Sequence, residues 1–161
     1  MTFFSQIMAD SQNIFNKRRL KPNQLREVSE RRFDDAKCLV DSGDQKRANG
    51  AMYLAGFVIE CLLKALLLER HSNLQVPVDP AQLSPSDREV FDLLYRHELD
   101  AMIVFLPELN KKLSSSTWRQ FQTICEEWTV HARYSPLNAK LDRAKDYLNT
   151  VKEVKRWLRE L

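Results

Sequence analysis

Glycine is scarce in this chain, at 3 of 161 residues, and proline occurs only 6 times. So few turn formers exclude a fold built from many short strands and tight hairpins. The three cysteines, Cys38, Cys61 and Cys125, are odd in number and scattered. None stands in a CxxC or Cys/His spacing, which argues against zinc and against a disulfide framework. The expectation is buried, reduced thiols in a cytoplasmic protein, with no metal. Also missing are GxSxG, a glycine-rich phosphate loop and HExxH, so no hydrolase, nucleotide-loop or zincin signature is present and no cofactor is implied. Charge is nearly balanced, with a net +3 and a pI near 8.8. That permits contact with nucleic acid without demanding it.

What the chain has in abundance is Leu, Ala, Glu, Lys and Arg, the residues of helices. One domain follows from the length. The most apolar stretch, residues 51–69 (AMYLAGFVIECLLKALLLE), reads as one long helix in the middle of a bundle. Its Glu60 and Lys64 are an i,i+4 pair in the favourable order, so they lie on a wet stripe or are buried and partnered. An ionisable pair at mid-span also opposes reading this stretch as a membrane span.

The chain divides into an N-terminal extension, residues 1–22, and a helical bundle, residues 23–161. In the extension the cations Lys17, Arg18, Arg19 and Lys21 follow the apolar residues, which is not the order of a secretory signal. Phe3, Phe4, Ile7, Met8, Ile14 and Phe15 have the pattern of a short amphipathic helix. Residues 23–42 form the first helix, with Leu25, Val28, Arg32, Ala36 and Leu39 on one face and Gly43 beyond its end. A second runs over 45–71, and the short turn between them predicts an antiparallel hairpin. Gly50 and Gly56 lower its helix propensity, and the expected compensation is a closely packed neighbouring helix.

Residues 72–86 hold three prolines and read as a loop. Short helices follow over 87–96 and from about 98 to Pro107. Ser114–Ser116 reads as an N-cap run for a helix over 117–128, whose Trp118, Phe121, Cys125 and Trp128 recur at a spacing that burial requires. Residues 129–138 are a break, since Pro136 disfavours helix at Ser135, and Asn138 is placed to cap the last helix, 139–161. The fold class is therefore all-α: an antiparallel helical bundle of four to five main helices plus short ones.

His71, His97 and His131 stand in no nucleophile context. The cluster His131-Ala132-Arg133-Tyr134 is more suggestive, because it lies on the loop entering the last helix. Arg133 there suits bidentate contact with a phosphate, and Tyr134 suits stacking on a base. The competing structural reading pairs Arg133 with Glu60, Glu126 or Glu127 and ties the loop to the bundle.

The segment YLAGFVIECLLKALL, the downstream His97-Glu98-Leu99, and Trp128 followed by Arg133-Tyr134 before a long terminal helix together resemble the HEPN domains (higher eukaryotes and prokaryotes nucleotide-binding). The likeness spans residues 23–161. It implies a four- or five-helix bundle that forms a homodimer, with the arginine-bearing loop near the two-fold axis. It further implies a prokaryotic toxin–antitoxin or defence setting and a nucleotidyltransferase-type protein partner. Many members are metal-independent RNases whose motif arginine is followed, after four to six intervening residues, by histidine. Here Arg133 matches the arginine, but Asn138 stands where the histidine would be, and asparagine is no general acid or base near neutral pH. The leading expectation is thus a non-catalytic module that binds RNA, a nucleotide or a protein partner through Arg133, Tyr134 and His97. Glu60 and Lys64 are then structural partners. The alternatives are an endoribonuclease toxin using Arg133 with His131 or Asn138, and a dimerisation scaffold without a ligand.

Overall fold

The computed structural model describes residues 21–111 and 115–161, and all regular structure among them is helical. The amphipathic pattern expected in the extension lies outside the described residues, as does Ser114; Ser115 and Ser116, expected in an N-cap run before a helix at 117, lie within the helix itself.

Helix α1 is Pro22–Asp41, opened by proline at its first position, where the lost N–H is not missed. Its buried positions are Leu25, Ser29, Ala36 and Val40, a stripe at spacings of four and seven. Ser29 is the polar member, and its hydroxyl donates to the Val58 carbonyl of the next helix at 3.1 Å. The chain reverses at Gly43, whose φ of 69° is the left-handed conformation glycine adopts without penalty. A 3₁₀ turn, Gln45–Arg47, then leads into α2, Ala48–Arg70.

Helix α2 is about 34 Å long at 1.5 Å per residue. Every residue from Val58 to Leu68 is buried, so it is the bundle's axis. By length and composition it could cross a membrane, yet 78% of its most apolar window is buried inside the fold. Its end lies beside the start of α1, where Arg26 makes a two-pronged contact with Glu69 at 3.1 and 2.9 Å. The hairpin is therefore antiparallel, as the short turn predicts.

The segment after α2 carries two 3₁₀ turns, Ser72–Gln75 and Pro80–Gln82. Then come α3 (Pro85–Leu93), α4 (Leu99–Val104) and α5 (Pro107–Lys111). The sequence pattern treats Pro107 as a stop, but it starts α5, since proline suits the first turn of a helix as well as its end. Helix α6 is Ser115–Glu127 and α7 is Leu141–Arg159. Phe121 and Ile124 of α6 are fully buried, and Phe121 packs on Trp157 of α7 at 6.0 Å between ring centroids. Ala144, Leu148, Val151, Val154 and Leu158 bury the inner face of α7, as its period of three and four requires.

Helix α7 runs antiparallel to α1, since Arg159 near its end bonds Glu30 at 2.6 Å. It therefore runs in the same direction as α2, and the starts of α2 and α7 lie together. Asn49 and Gln45 bond residues 137–141 there. The cysteines divide by environment: Cys61 is buried, Cys125 half-buried and Cys38 exposed. Burial of all three was expected, but Cys38 falls on the outer side of α1. Desolvation raises the Cys61 thiol to about 11 and the Cys125 thiol to about 12.

Candidate functional site

One stripe of α2, Tyr53, Phe57, Glu60 and Lys64, organises the chemistry, because spacings of four, three and four place these residues on one helical face. Its first half is aromatic. Phe57 meets Tyr53 edge-on at 5.0 Å, Trp128 at 5.0 Å and His97 at 5.8 Å. Trp128 lies just beyond α6, buried, with its indole N–H donating to the Tyr53 carbonyl at 3.0 Å. Gly56 makes room for it: a Cβ there would stand 1.9 Å from the indole ring. The close neighbour expected at Gly56 is thus a side chain, and no helix backbone. Gly50 has the milder contact, Leu39 at 3.4 Å.

The second half of the stripe is ionic. Lys64 Nζ stands 2.6 Å from Glu60 Oε1, with both side chains more than nine-tenths buried. The other partner of Glu60 is His97, whose Nδ1 lies 2.9 Å from Oε2 and 3.1 Å from Oε1. His97 sits between α3 and α4, and its side chain is 44% exposed. Two partners on one carboxylate offset the desolvation that a buried charge carries.

Arg133 lies on the segment between α6 and α7. Thr129 caps a 3₁₀ turn, Val130–Tyr134, its hydroxyl accepting from the His131 N–H at 3.2 Å. Ser135 is extended before Pro136, as the proline's bulk demands. Trp128 anchors one end of this segment in the core. The other end is held by the start of α2: Asn49 accepts from the Ala139 N–H at 2.7 Å and donates to the Leu137 carbonyl at 2.6 Å. Gln45 bonds both the Leu141 N–H, at 3.0 Å, and the Ala139 carbonyl.

These contacts correct the role given to Asn138, which is exposed and does not cap α7. Lys140 is the N-cap residue, without a side-chain bond; the first helical amide, of Leu141, is met by Gln45, 96 positions away, and the Ala139 amide just before the cap by Asn49, 90 positions away. A cap supplied across the fold leaves no local pattern. The pairing of Arg133 with Glu60 is also corrected, because Lys64 and His97 occupy that carboxylate. Glu127 faces Arg143 at 3.7 Å. Arg133 is exposed and, among the described residues, makes no ion pair. Its guanidinium lies 4.7 Å from the centre of the Tyr134 ring, and Tyr134 is 71% exposed.

The structure thus puts His131, Arg133, Tyr134 and Asn138 on one pinned, exposed segment. Glu60, Lys64 and His97 form a second cluster on α2. Phe57 touches both His97 and Trp128, so the two clusters share one side of the central helix. Among the described residues no three or more of His, Cys, Asp and Glu converge as metal ligands would. Comparison with known proteins finds no family model, no curated protein and no solved structure that matches the chain.

Proposed function

We propose that the chain is a HEPN-like module that binds RNA through the Arg133–Tyr134 segment and does not cleave it. The observation that carries this reading is the state of Arg133: exposed, backed by an aromatic ring, free of carboxylates, and mounted on a segment pinned at both ends. A guanidinium so placed offers a phosphate its two-pronged contact, and the ring beneath holds the fork in orientation. Tyr134 offers an exposed face on which a base stacks. His97 is a further contact on the same side of α2, held by Glu60.

Binding without cleavage rests on the residue that follows Arg133, while His131, two residues before it, is the group an endoribonuclease would have to use. Asn138 follows Arg133 after four intervening residues and moves no proton near neutral pH. A homodimer is part of the proposal, since Leu137 is an apolar side chain left 77% exposed on the same segment as Arg133. A second copy covering Leu137 and leaving the Tyr134 ring open would bring two such arginines to one cleft.

The test is incubation of the protein with labelled single-stranded RNA in the presence of a metal chelator, read for both binding and cleavage. Binding with the RNA intact, lost in Arg133→Ala, is expected. Cleavage that disappears in Arg133→Ala would replace this reading by an endoribonuclease. Absence of any binding would overturn it.

A further inference from the structure

Helix α4 has a groove along each edge, of about 180 Å³ toward α3 and about 350 Å³ toward α6. Val104 lines both and is 74% exposed. Beside it the half-buried Ile103, Phe105 and Trp118 present the rest of their apolar surfaces. The acids along the grooves are Glu89, Asp92, Asp100 and Glu126, all exposed, against the lining cation Arg96. Arg88, Arg119 and Glu98 stand at neighbouring positions, and with them counted carboxylates still lead five to three. None of the four lining acids makes an ion pair among the described residues. An apolar surface edged by unmatched carboxylates suits a segment that is apolar and basic at once.

We propose that these grooves are the docking site of the chain's own N-terminal extension, residues 1–20. Phe3, Phe4, Ile7 and Met8 are its apolar offering. Residues 1–21 hold Lys17, Arg18, Arg19 and Lys21 against Asp10, which is the whole of the chain's net charge of +3. The remaining residues balance acids and bases, so the bundle of a second copy has no positive excess to offer an acidic groove.

The extension joins the fold within reach of the grooves. Pro22 opens α1 beside the end of α2, where Arg26 meets Glu69, and at that same end Arg70 meets Glu108 of α5. Val104 precedes Glu108 by four residues, which is at most about 14 Å of chain. Twenty residues span about 30 Å even as a helix, and more when extended. Tethering at that range favours the chain's own segment over a separate basic peptide, because a short tether supplies an effective concentration on the order of millimolar.

The test attaches a nitroxide through Asn13→Cys, a position the apolar pattern skips, in the full-length Cys38→Ser protein, and reads side-chain methyl signals by NMR. Cys61 and Cys125 stay protonated near neutral pH and are slow to take the label. Loss of the Ile103 and Val104 methyl signals, regained on reducing the nitroxide, is expected, while Val40 at the far end of α1 keeps its signal. Adding Phe4→Ser/Ile7→Ser is expected to restore the lost signals, and adding Asp100→Asn/Glu126→Gln to restore them in part. Asp100 and Glu126 are exposed, and an unchanged melting temperature shows that this variant is folded. Unchanged Ile103 and Val104 signals, or losses centred on other methyls, would overturn the proposal. So would losses that survive both sets of substitutions. Losses in isotope-labelled chains without nitroxide, mixed with unlabelled chains that carry it, would give the grooves to the extension of a second copy and overturn docking within one chain.

Discussion

Two charged clusters lie on the same side of α2 and differ in what their charges face. Glu60 and Lys64 are buried and matched within the fold, with His97 closing the remaining side of the carboxylate. Arg133 is exposed and meets only an aromatic ring. The first arrangement is what a fold needs in order to hide ionic groups in its central helix. The second leaves a charge available at the surface of a segment that the fold nonetheless holds still. Position along the chain says little about role in this molecule. Glu60 sits in the most distinctive stretch of sequence and serves the scaffold, whereas Arg133 sits in an irregular loop and faces outward.

Removing one member of the buried pair is expected to have the largest effect. Lys64→Ala leaves Glu60 in the core with His97 alone, and the expected loss is about 3–5 kcal/mol, measured as a shift in the urea midpoint. Replacing both, as Glu60→Leu with Lys64→Met, is expected to recover most of it, because no buried charge remains unmatched. A double variant as unstable as the single would show that the pair is more than internally matched charge.

Next in size is Gly56→Ala. An ordinary helix gains about 1 kcal/mol from this change. Here the new methyl meets the Trp128 ring, which is buried and hydrogen-bonded and has nowhere to go. A net loss of about 1–3 kcal/mol is expected from the overpacking, visible in the melting temperature. Asn49→Ala acts on the segment's other anchor. It removes the partners of the Ala139 N–H and the Leu137 carbonyl, with an expected cost of about 1–2 kcal/mol. It should also weaken RNA binding although Asn49 lies outside the proposed contact, because Arg133 is then less well held.

A smaller effect separates the thiols. Burial raises Cys61 to about 11 and Cys125 to about 12, so both stay protonated and slow toward a thiol reagent at pH 8. Exposed Cys38 is expected to be labelled first in the folded protein, and mass spectrometry of the labelled peptides reads the order.

Much of the scaffold was legible because it rests on local periodicity. The stripe of α7, the buried run of α2 and the glycine that ends α1 each follow from spacings within a few turns. Where contacts are remote the sequence was silent. Nothing near Glu60 names His97, 37 residues away, as its partner, and nothing near Asn138 shows that Asn49 meets the amide of Ala139. Gly56 did carry a signal, a close neighbour, but not that the neighbour is an indole. Ser29 was missed because a buried hydroxyl looks polar in a pattern, and only its bond to the Val58 carbonyl makes burial tolerable. Arg133 was legible as a candidate by residue type and loop position. Its freedom from carboxylates depends on which cations and histidines take those carboxylates, and that is a property of the assembled fold.

The most direct test compares Arg133→Ala with the natural chain for affinity to single-stranded RNA, with the melting temperature taken on the same samples. The account predicts an affinity at least about tenfold lower, the loss of one charge-assisted contact of about 1.5 kcal/mol or more, at an unchanged melting temperature. Unchanged affinity, or a fall in melting temperature approaching that of Lys64→Ala, would contradict it.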